Sequence, residues 1–499
     1  MSKLSIEDIA VFCKRKGFVY PNSEIYGGFS GFWDFGHLGV ELKNNIKNEW
    51  WKFHVQSRED IVGMDGSIIT HPKIWEASGH VESFKDIMLT CSKCKEKIRA
   101  DQFVEEKLKI NVEGYSVEKI NDIIKKNKLK CPKCKSDFED TEKFNLMFKT
   151  IVGPKEDKSS IAYLRPETAQ VIFADFKLVV DNARLKLPFG IAQIGKGFRN
   201  EISPRDFLFR CREFDMMEIE YFVHPEKASK CPFIGEVLEE ELNFLTSEMQ
   251  EKNEKPKKIK VKDAIKKKLM SEWHAYWLAT EQNWFTSLGA NPDNFRIRQH
   301  LKEEKSHYAT DTWDLEYNFP FGWKELQGIA NRSDFDLKQH IKFSGKDLSI
   351  FDEETKKKII PYVIAEPSLG VERAFIVFIF DAYNYDKGRG NIVLKLHPKL
   401  APIKVGVFPL VNKLDREAKK IYDLLKLDFN CIFDRSGSVG RRYARADEIG
   451  IPYCITIDFD SLKNEDCTIR NRDNTKQIRV KIKDLKDTIT KLLNNQIKI

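Results

Sequence analysis

The sequence predicts an α+β body at residues 1–398 followed by a separate α/β domain at 399–499, on three observations. First, 499 residues and 58.2 kDa are more than one hydrophobic core usually organises, so two or three domains are expected. Second, residues 198–222, FRNEISPRDFLFRCREFDMMEIEYF, read as two strands around a Ser-Pro-Arg-Asp breaker, while residues 38–53 carry apolar side chains at helical spacing. Third, beyond Pro398 and Pro402 strand-like and helix-like runs alternate, which calls for a mostly parallel sheet with helices packed on it.

Composition narrows the class. Hydrophobic residues at 41% and charged ones at 32% describe an ordinary globular chain. No apolar leader follows a basic start, and the longest apolar candidate, 374–380, stops at Asp381. A cytoplasmic protein with no membrane partner is expected. Of the net charge of +8, residues 401–499 carry +6, with 20 Lys+Arg against 14 Asp+Glu. That bias fits an anionic partner such as nucleic acid, or a solvated lysine-rich surface.

In chain order, Ile6, Ile9, Phe12 and Cys13 predict a short amphipathic helix running into Gly17. The glycine-rich aromatic stretch 25–36 matches no phosphate-loop spacing, which favours a structural role. Leu38, Leu42, Ile46, Trp50 and Phe53 then define a helix facing the core or another subunit. Cys91/Cys94 and Cys131/Cys134 are two CxxC pairs, each able to offer two thiolates to one tetrahedral zinc, with redox use or a metal-free remnant as the alternatives. The lysine-rich span 105–130 between them reads as a helical insertion. In Leu164-Arg-Pro-Glu-Thr-Ala-Gln170, Pro166 suits a first helical position and Glu167 the first turn.

The 198–222 ribbon carries the densest chemistry. Alternation puts Arg210, Arg212, Phe214, Met216, Glu218 and Glu220 on one face, and pairs Arg199 with Glu201 on the other strand. Such a face is costly to bury without ligands. Guanidinium forks suit phosphate oxygens, a phenyl ring suits a purine, and carboxylates suit an ammonium. A charged, solvated ribbon is the plainer alternative. Residues 225–295 read as a helical, basic inserted module: a lysine-rich run at 252–268, then a Trp/Tyr-rich helix over 272–288. A solvated surface is favoured there over a nucleic-acid contact. His300 and His307 show no ligand spacing and read as structural. Residues 308–334 resume the body, and 363–373 reads as a buried strand and tight turn before an apolar helix at 374–380. In the last domain, strands are predicted at 404–409, 430–433 and 453–457, with helices at 415–425 and 441–450.

The 198–222 stretch resembles the arginine-bearing second motif of class II aminoacyl-tRNA synthetases, most closely the glycyl-tRNA synthetases of the homodimeric type. Residues 63–80, GMDGSIITHPKIWEASGH, resemble the first motif, whose proline (Pro72) lies at a subunit interface; 363–373, VIAEPSLGVER, resembles the third. Residues 440–452 are similar to the anticodon-binding domain of class IIa members. One departure is Gly36-His37-Leu38-Gly39, where the family usually has Gly-Pro-Leu-Gly. The resemblance implies a class II antiparallel sheet flanked by helices, a zinc-knuckle-like insertion at about 85–150, a second insertion at about 225–295, and a C-terminal anticodon-binding domain. It implies a homodimeric ligase that activates glycine with ATP as glycyl-adenylate, releasing pyrophosphate, and passes the glycyl group to tRNA(Gly).

The same resemblance assigns residues. Arg199, Glu201 and Arg373 are the expected catalytic groups, with Arg199 on the α-phosphate, Glu201 on the adenine amino group and Arg373 with Arg210 on the triphosphate tail. Phe214 is expected to stack on adenine, with Asn200, Phe209, Leu326 and Gly370 completing the nucleotide site. Glu325 is expected to hold Mg²⁺, or else to be a plain strand carboxylate. Glu167, Glu218 and Glu366 are expected around the glycine ammonium, Ser368 against its α-carbon, and Arg99 and Phe214 beside them. Arg99 could equally be an exposed arginine. Three rivals remain: a sister synthetase of other specificity, a non-catalytic relative of the polymerase-accessory type that binds nucleic acid, and a zinc-knuckle RNA-binding protein. Retention of Arg199, Glu201, Arg210, Phe214 and Arg373 speaks against the second.

Overall fold

The computed structural model describes residues 4–499 apart from 111, 113, 114, 140, 156, 158 and 302–310, so His307 lies outside the described residues. Aromatic and β-branched runs build a sheet of nine strands among the described residues. These are β1 (Ile61–Met64), β2 (Phe189–Phe198), β3 (Glu213–Val223), β4 (Glu241–Leu245), β5 (Lys257–Lys260), β6 (Phe295–Gln299), β7 (Asp311–Phe319), β8 (Gly322–Asn331) and β9 (Tyr362–Gly370). Their spatial order is β5-β4-β6-β7-β8-β9-β3-β2-β1. Neighbours run antiparallel except β2 with β1 and β4 with β6. The expected antiparallel body is therefore present.

Five helices frame this sheet: α1 (Ile6–Lys16), α2 (His37–Trp51), α3 (Ala169–Ala183), α4 (Glu272–Ser287) and α5 (Val371–Ala382). A Ser5/Asp8 capping box starts α1, and left-handed Gly17 ends it, as its spacing predicts. Helix α2 buries Leu38, Leu42, Ile46 and Trp50, but Phe53 emerges because the chain widens into a π-turn over Lys52–Gln56. A Cβ on Gly39 would lie 1.8 Å from the Phe18 carbonyl oxygen, so only glycine lets α2 start against that backbone. Helices α4 and α5 are apolar nearly all round and sit inside the main core with Trp273, Trp277, Phe375 and Phe378.

Three expectations change. The ribbon is not a tight hairpin: β2 ends at Phe198, β3 begins at Glu213, and the connection between them carries a 3₁₀ turn at Phe207–Phe209. Arg199, Asn200, Glu201 and Arg210 are thus loop residues, because the pairing stops where Pro204, without an N–H, and its polar neighbours take over. The helix after Pro166 starts at Ala169, leaving Pro166 and Glu167 in the approach, and Glu218 takes the otherwise unpaired Thr168 amide at its N-cap at 2.7 Å. The 225–295 module is not purely helical. Buried Leu242 and Phe244 alternate along β4, and β4, β5 and β6 extend the central sheet. Lys257, Lys258 and Lys260 charge the outer strand, which discourages edge-to-edge pairing.

The cysteine-bearing insertion is a three-stranded sheet (Lys85–Thr90, Lys97–Arg99, Glu142–Asn145) with helices Ala100–Leu108 and Val117–Lys126. Its own small core holds Leu89, Phe103, Val104 and Ile120. In the last domain Cys431–Phe433, Val405–Pro409 and Tyr453–Ile457 pair in parallel as expected; Asp466–Asn471 and Gln477–Lys481 add two antiparallel strands. No helix among the described residues is long and apolar enough to cross a membrane.

Candidate active site

The connection between β2 and β3 is held by its own arginines. Arg199 N–H donates to the Arg212 carbonyl at 2.9 Å, and Arg212 Nε and Nη2 donate to the Glu201 carbonyl at 3.0 and 2.7 Å. Arg212 also reaches the Ser30 carbonyl at 3.0 Å, and its N–H donates to the Gly31 carbonyl at 2.7 Å. The glycine-rich stretch 25–36 therefore braces this loop, the structural role its spacing favours. Asp206 and Phe207 both adopt left-handed backbone, with φ of 57° and 56°. That conformation is costly for a phenylalanine; edge-on packing of Phe207 against Trp33, at 4.9 Å between centroids, offsets it.

Above the loop opens a cleft of about 270 Å³. Its walls include Arg99, Arg199, Glu201, Phe209, Arg210, Phe214, Glu325, Leu326, Ser368, Gly370 and Arg373, joined by Phe84, Asp86 and Glu372. Three segments distant in sequence thus meet around one cavity. The Arg199 guanidinium lies 5.4 Å from the Phe214 ring centroid and 5.5 Å from that of Phe84. Phe214 leans over Gly197, where any Cβ would come within 2.9 Å of the ring. Arg373, in the first turn of α5, stacks 4.5 Å over Phe209 and touches Glu325 at 3.2 Å. Arg210 and Glu201 are 3.4 Å apart, and Arg99 is held between Asp86 at 3.0 Å and Asp101 at 2.7 Å. Burial, reinforced by Glu201 and Asp101, pushes the Asp86 carboxyl up to about 6 despite Arg99. Crowding in the cleft raises the Glu325 carboxyl, but Arg373, His300 and Arg199 outweigh it and hold that group below its ordinary value.

Deeper along the same sheet face lies a second, dry cluster. Strand pairing sets Gln193, Glu218, Ser368, Gly328 and Asp314 side by side across β2, β3, β9, β8 and β7. Ser368 Oγ donates to one Glu218 oxygen at 2.5 Å; the Thr168 amide donates to the other at 2.7 Å, and the Thr168 hydroxyl reaches it too. Glu366 takes a two-pronged contact from Arg332 Nη1 at 2.8 and 2.9 Å, while Arg332 Nε and Nη2 grip Asp336 at 2.7 and 2.8 Å. Glu167 faces His80 at 3.3 Å. Burial and mutual repulsion raise Glu218, and burial with Glu167 and Glu218 pushes Glu366 up to about 8 even against Arg332. Burial works against ionisation of Glu167 too, but His80, Arg332 and Arg199 hold it far below the usual carboxylate range. The cluster thus holds more acids than bases, and a cation brought beside it would relieve their mutual repulsion.

Of the residues expected from sequence, Glu167, Glu218 and Glu366 sit in this buried cluster rather than on the cleft wall, with Ser368 belonging to both. Asn200 lines neither; its amide donates to the Leu146 carbonyl at 2.7 Å. His300 bonds Asp314 at 2.8 Å, consistent with a structural part. The four cysteines converge: Cys91–Cys134 Sγ atoms are 3.4 Å apart, Cys94–Cys131 3.7 Å, and all four lie within 4.8 Å of one another. A tetrahedron with metal–sulfur bonds of about 2.3 Å has sulfur–sulfur edges of about 3.8 Å, so the set fits one zinc ion.

Residues 148–383 match the family described as tRNA synthetase class II core domain (G, H, P, S and T), and 404–492 match the anticodon binding domain. The chain is 46% identical to the glycine–tRNA ligase of Caldanaerobacter subterraneus subsp. tengcongensis, over 99% of both chains. It is 47% identical to that of Acetivibrio thermocellus over 97% of each, and 45% to that of Geobacillus kaustophilus over 97% and 98%. The chain belongs to the glycine–tRNA ligase family. Among solved structures, the prolyl-tRNA synthetase of Cryptosporidium parvum matches with a TM-score of 0.58 at 14% identity, covering 98% of this chain and 77% of the other, a likeness of fold.

Sequence reading of this glycine–tRNA ligase family member missed Arg332, Asp336, Thr168, His80, Asp86 and Glu372. Arg332 and Asp336 stand four apart across the end of β8, the spacing of a local ion pair, and that pattern was available. The others meet the acidic or basic partners that matter here only through tertiary contact.

Proposed function

We propose that this chain activates glycine with ATP and transfers it to tRNA(Gly), using the cleft for the nucleotide and the dry cluster for the amino acid. One observation carries the reading: a cleft lined by four arginines opens onto a sealed group of carboxylates through a single shared residue, Ser368. Full-length relatives named as ligases favour this over a non-catalytic nucleic-acid-binding relative.

In the first step the glycine carboxylate attacks the α-phosphorus of ATP in line, and pyrophosphate leaves. Such transfer depends on positioning and charge neutralisation. Arg199 meets the α-phosphate, where charge grows as the attacking oxygen arrives. Arg210 and Arg373 hold the remaining phosphates, trading their loose contacts with Glu201 and Glu325 for phosphate oxygens. Phe214 offers its ring to adenine. Glu325, half-exposed on the rim, supplies an oxygen ligand for Mg²⁺, which would neutralise triphosphate charge when bound. Glu218, Glu167 and Glu366 surround the ammonium, and Ser368 leaves no room for a β-carbon. In the second step a terminal ribose hydroxyl of tRNA takes the glycyl group and AMP departs.

The same reading includes a structural zinc at Cys91, Cys94, Cys131 and Cys134, a catalytic domain at 1–398, an anticodon-binding domain at 399–499, a homodimer and a cytoplasmic setting. ATP–pyrophosphate exchange with each amino acid in turn tests it. Exchange with glycine alone is expected; exchange with another amino acid, or none, would overturn it.

A further inference from the structure

Behind the cleft lies an ion cluster that the chemistry above does not use. Lys43 of α2 is only 6% exposed, and its ammonium sits 2.5 Å from both Asp215 Oδ2 and Glu372 Oε1. The Asp215 amide donates to the second Glu372 oxygen at 2.9 Å. Lys47 approaches Asp215 at 3.0 Å, and the Phe35 ring lies 4.1 Å from the Lys43 ammonium. Both acids are adjacent in sequence to proposed nucleotide contacts. Asp215 follows Phe214 on β3 and so projects to the opposite side of the strand. Glu372 immediately precedes Arg373 at the start of α5.

Buried ion clusters are poor stabilisers, because desolvation offsets most of their attraction, and an apolar set of similar volume often serves as well. What a lysine bridging two carboxylates does supply is a fixed distance. Here it links β3 to α5 at the points where Phe214 and Arg373 depart for the cleft, and anchors both to α2. Burial works against the charge on Lys43, but Glu372 and Asp215 more than restore it; Lys43 and Lys196 likewise hold Asp215 down to about 2. The link therefore persists across ordinary assay pH.

We propose that Lys43 is a positioning residue for the nucleotide half of the site: by gripping Asp215 and Glu372 together it sets the spacing of Phe214 and Arg373. This rests on the reading of the cleft as the ATP site. Glu218 is held by Thr168 and in turn accepts from Ser368, contacts that do not involve Lys43, so the amino-acid half should not feel its loss.

The test is steady-state ATP–pyrophosphate exchange on the full chain, with KM measured separately for ATP and glycine. The unaltered protein comes first: if it shows no glycine-dependent exchange, the site reading fails, whatever Lys43 does. Given exchange, Lys43→Met is expected to raise the ATP KM at least about tenfold and leave the glycine KM within about twofold. Lys43→Arg should recover part of that loss. Assays run about 10 °C or more below each variant's melting midpoint, so that unfolding does not contribute. Should Lys43→Met fail to fold, Asp215→Asn, away from the cleft wall, keeps the shape, removes one charge, and should give the same ATP-selective rise. An unchanged ATP KM, or equal rises for ATP and glycine, in the variants that fold would overturn the proposal.

Discussion

The two halves of the site share one sheet face yet are built on opposite principles. In the cleft, charged groups meet in loose pairs: Arg210 with buried Glu201 at 3.4 Å and Arg373 with half-exposed Glu325 at 3.2 Å. On the proposed reading these long contacts are traded for shorter, charge-assisted ones to phosphate oxygens. In the deeper cluster, Glu218 is clasped by Ser368 and Thr168, and Glu366 by Arg332, all with direct hydrogen bonds among largely buried groups. Disturbing these leaves buried polar atoms unsatisfied, which is expensive. One half is made to change partners, the other to hold its shape. That division suits a ligase that must exchange partners to seat a triphosphate tail in line but refuse an extra methyl group. A missing methylene is worth only ~1–3 kcal/mol in a loose pocket, so refusal has to come from rigidity.

Four experiments bear on this contrast. Arg199→Ala should lower glycine-dependent exchange by about 10³-fold, with a comparatively small change in melting midpoint, because its charge is needed most in the transition state. A near-normal rate would remove Arg199 from the chemistry. Glu218→Gln should raise the glycine KM about 30- to 100-fold and the ATP KM only slightly, since a buried charge-assisted contact is weakened. Equal effects on both substrates would erase the boundary between the halves.

The third experiment uses pH. Glu366 stands near 8 in the folded chain against an ordinary 4.5, so between those values the unfolded state gives up a proton that the native state keeps. Stability without ligand therefore falls as pH rises through this window. An ammonium favours the ionised carboxyl and opposes the loss. The rise in melting midpoint caused by glycine should accordingly be several-fold larger at about pH 8 than at about pH 6, while the shift caused by ATP stays level. A glycine effect indifferent to pH would place the ammonium elsewhere. The smallest effect on catalysis is expected from Cys131→Ser: bound zinc, measured by metal analysis, should disappear and the insertion should melt earlier, with exchange falling about threefold or less. Full zinc retention would break the four-cysteine assignment.

Much of this plan was legible in the sequence wherever the signal is local. The alternation after Pro402 shows the parallel core of the last domain; the CxxC pairs announce a four-sulfur site that does close up; the run before Arg373 does enter a helix. The start of the central ribbon was misplaced because Gly195 and Gly197 look like breakers, although both lie within β2. Glycine is tolerated there because Arg165 and Phe214 fill the space a side chain would occupy. The strands β4 and β5 escaped notice because a lysine-rich outer strand resembles a solvated loop in composition. The grip of Arg332 on Glu366, of Thr168 on Glu218 and of His80 on Glu167 joins residues far apart along the chain, which no local window contains.

Ser368 stands directly opposite Glu218 on one side and Gly328 on the other. Shifting β9 by a single residue would turn bulky Leu369 inward in its place. On the proposed reading, choice of amino acid is fastened to the backbone ladder itself, whereas Arg199 and Arg210 ride on the connection between β2 and β3. Over evolutionary drift the two should diverge at different speeds: those two arginines can shift with their loop, but a new amino acid would require rebuilding the weave of strands.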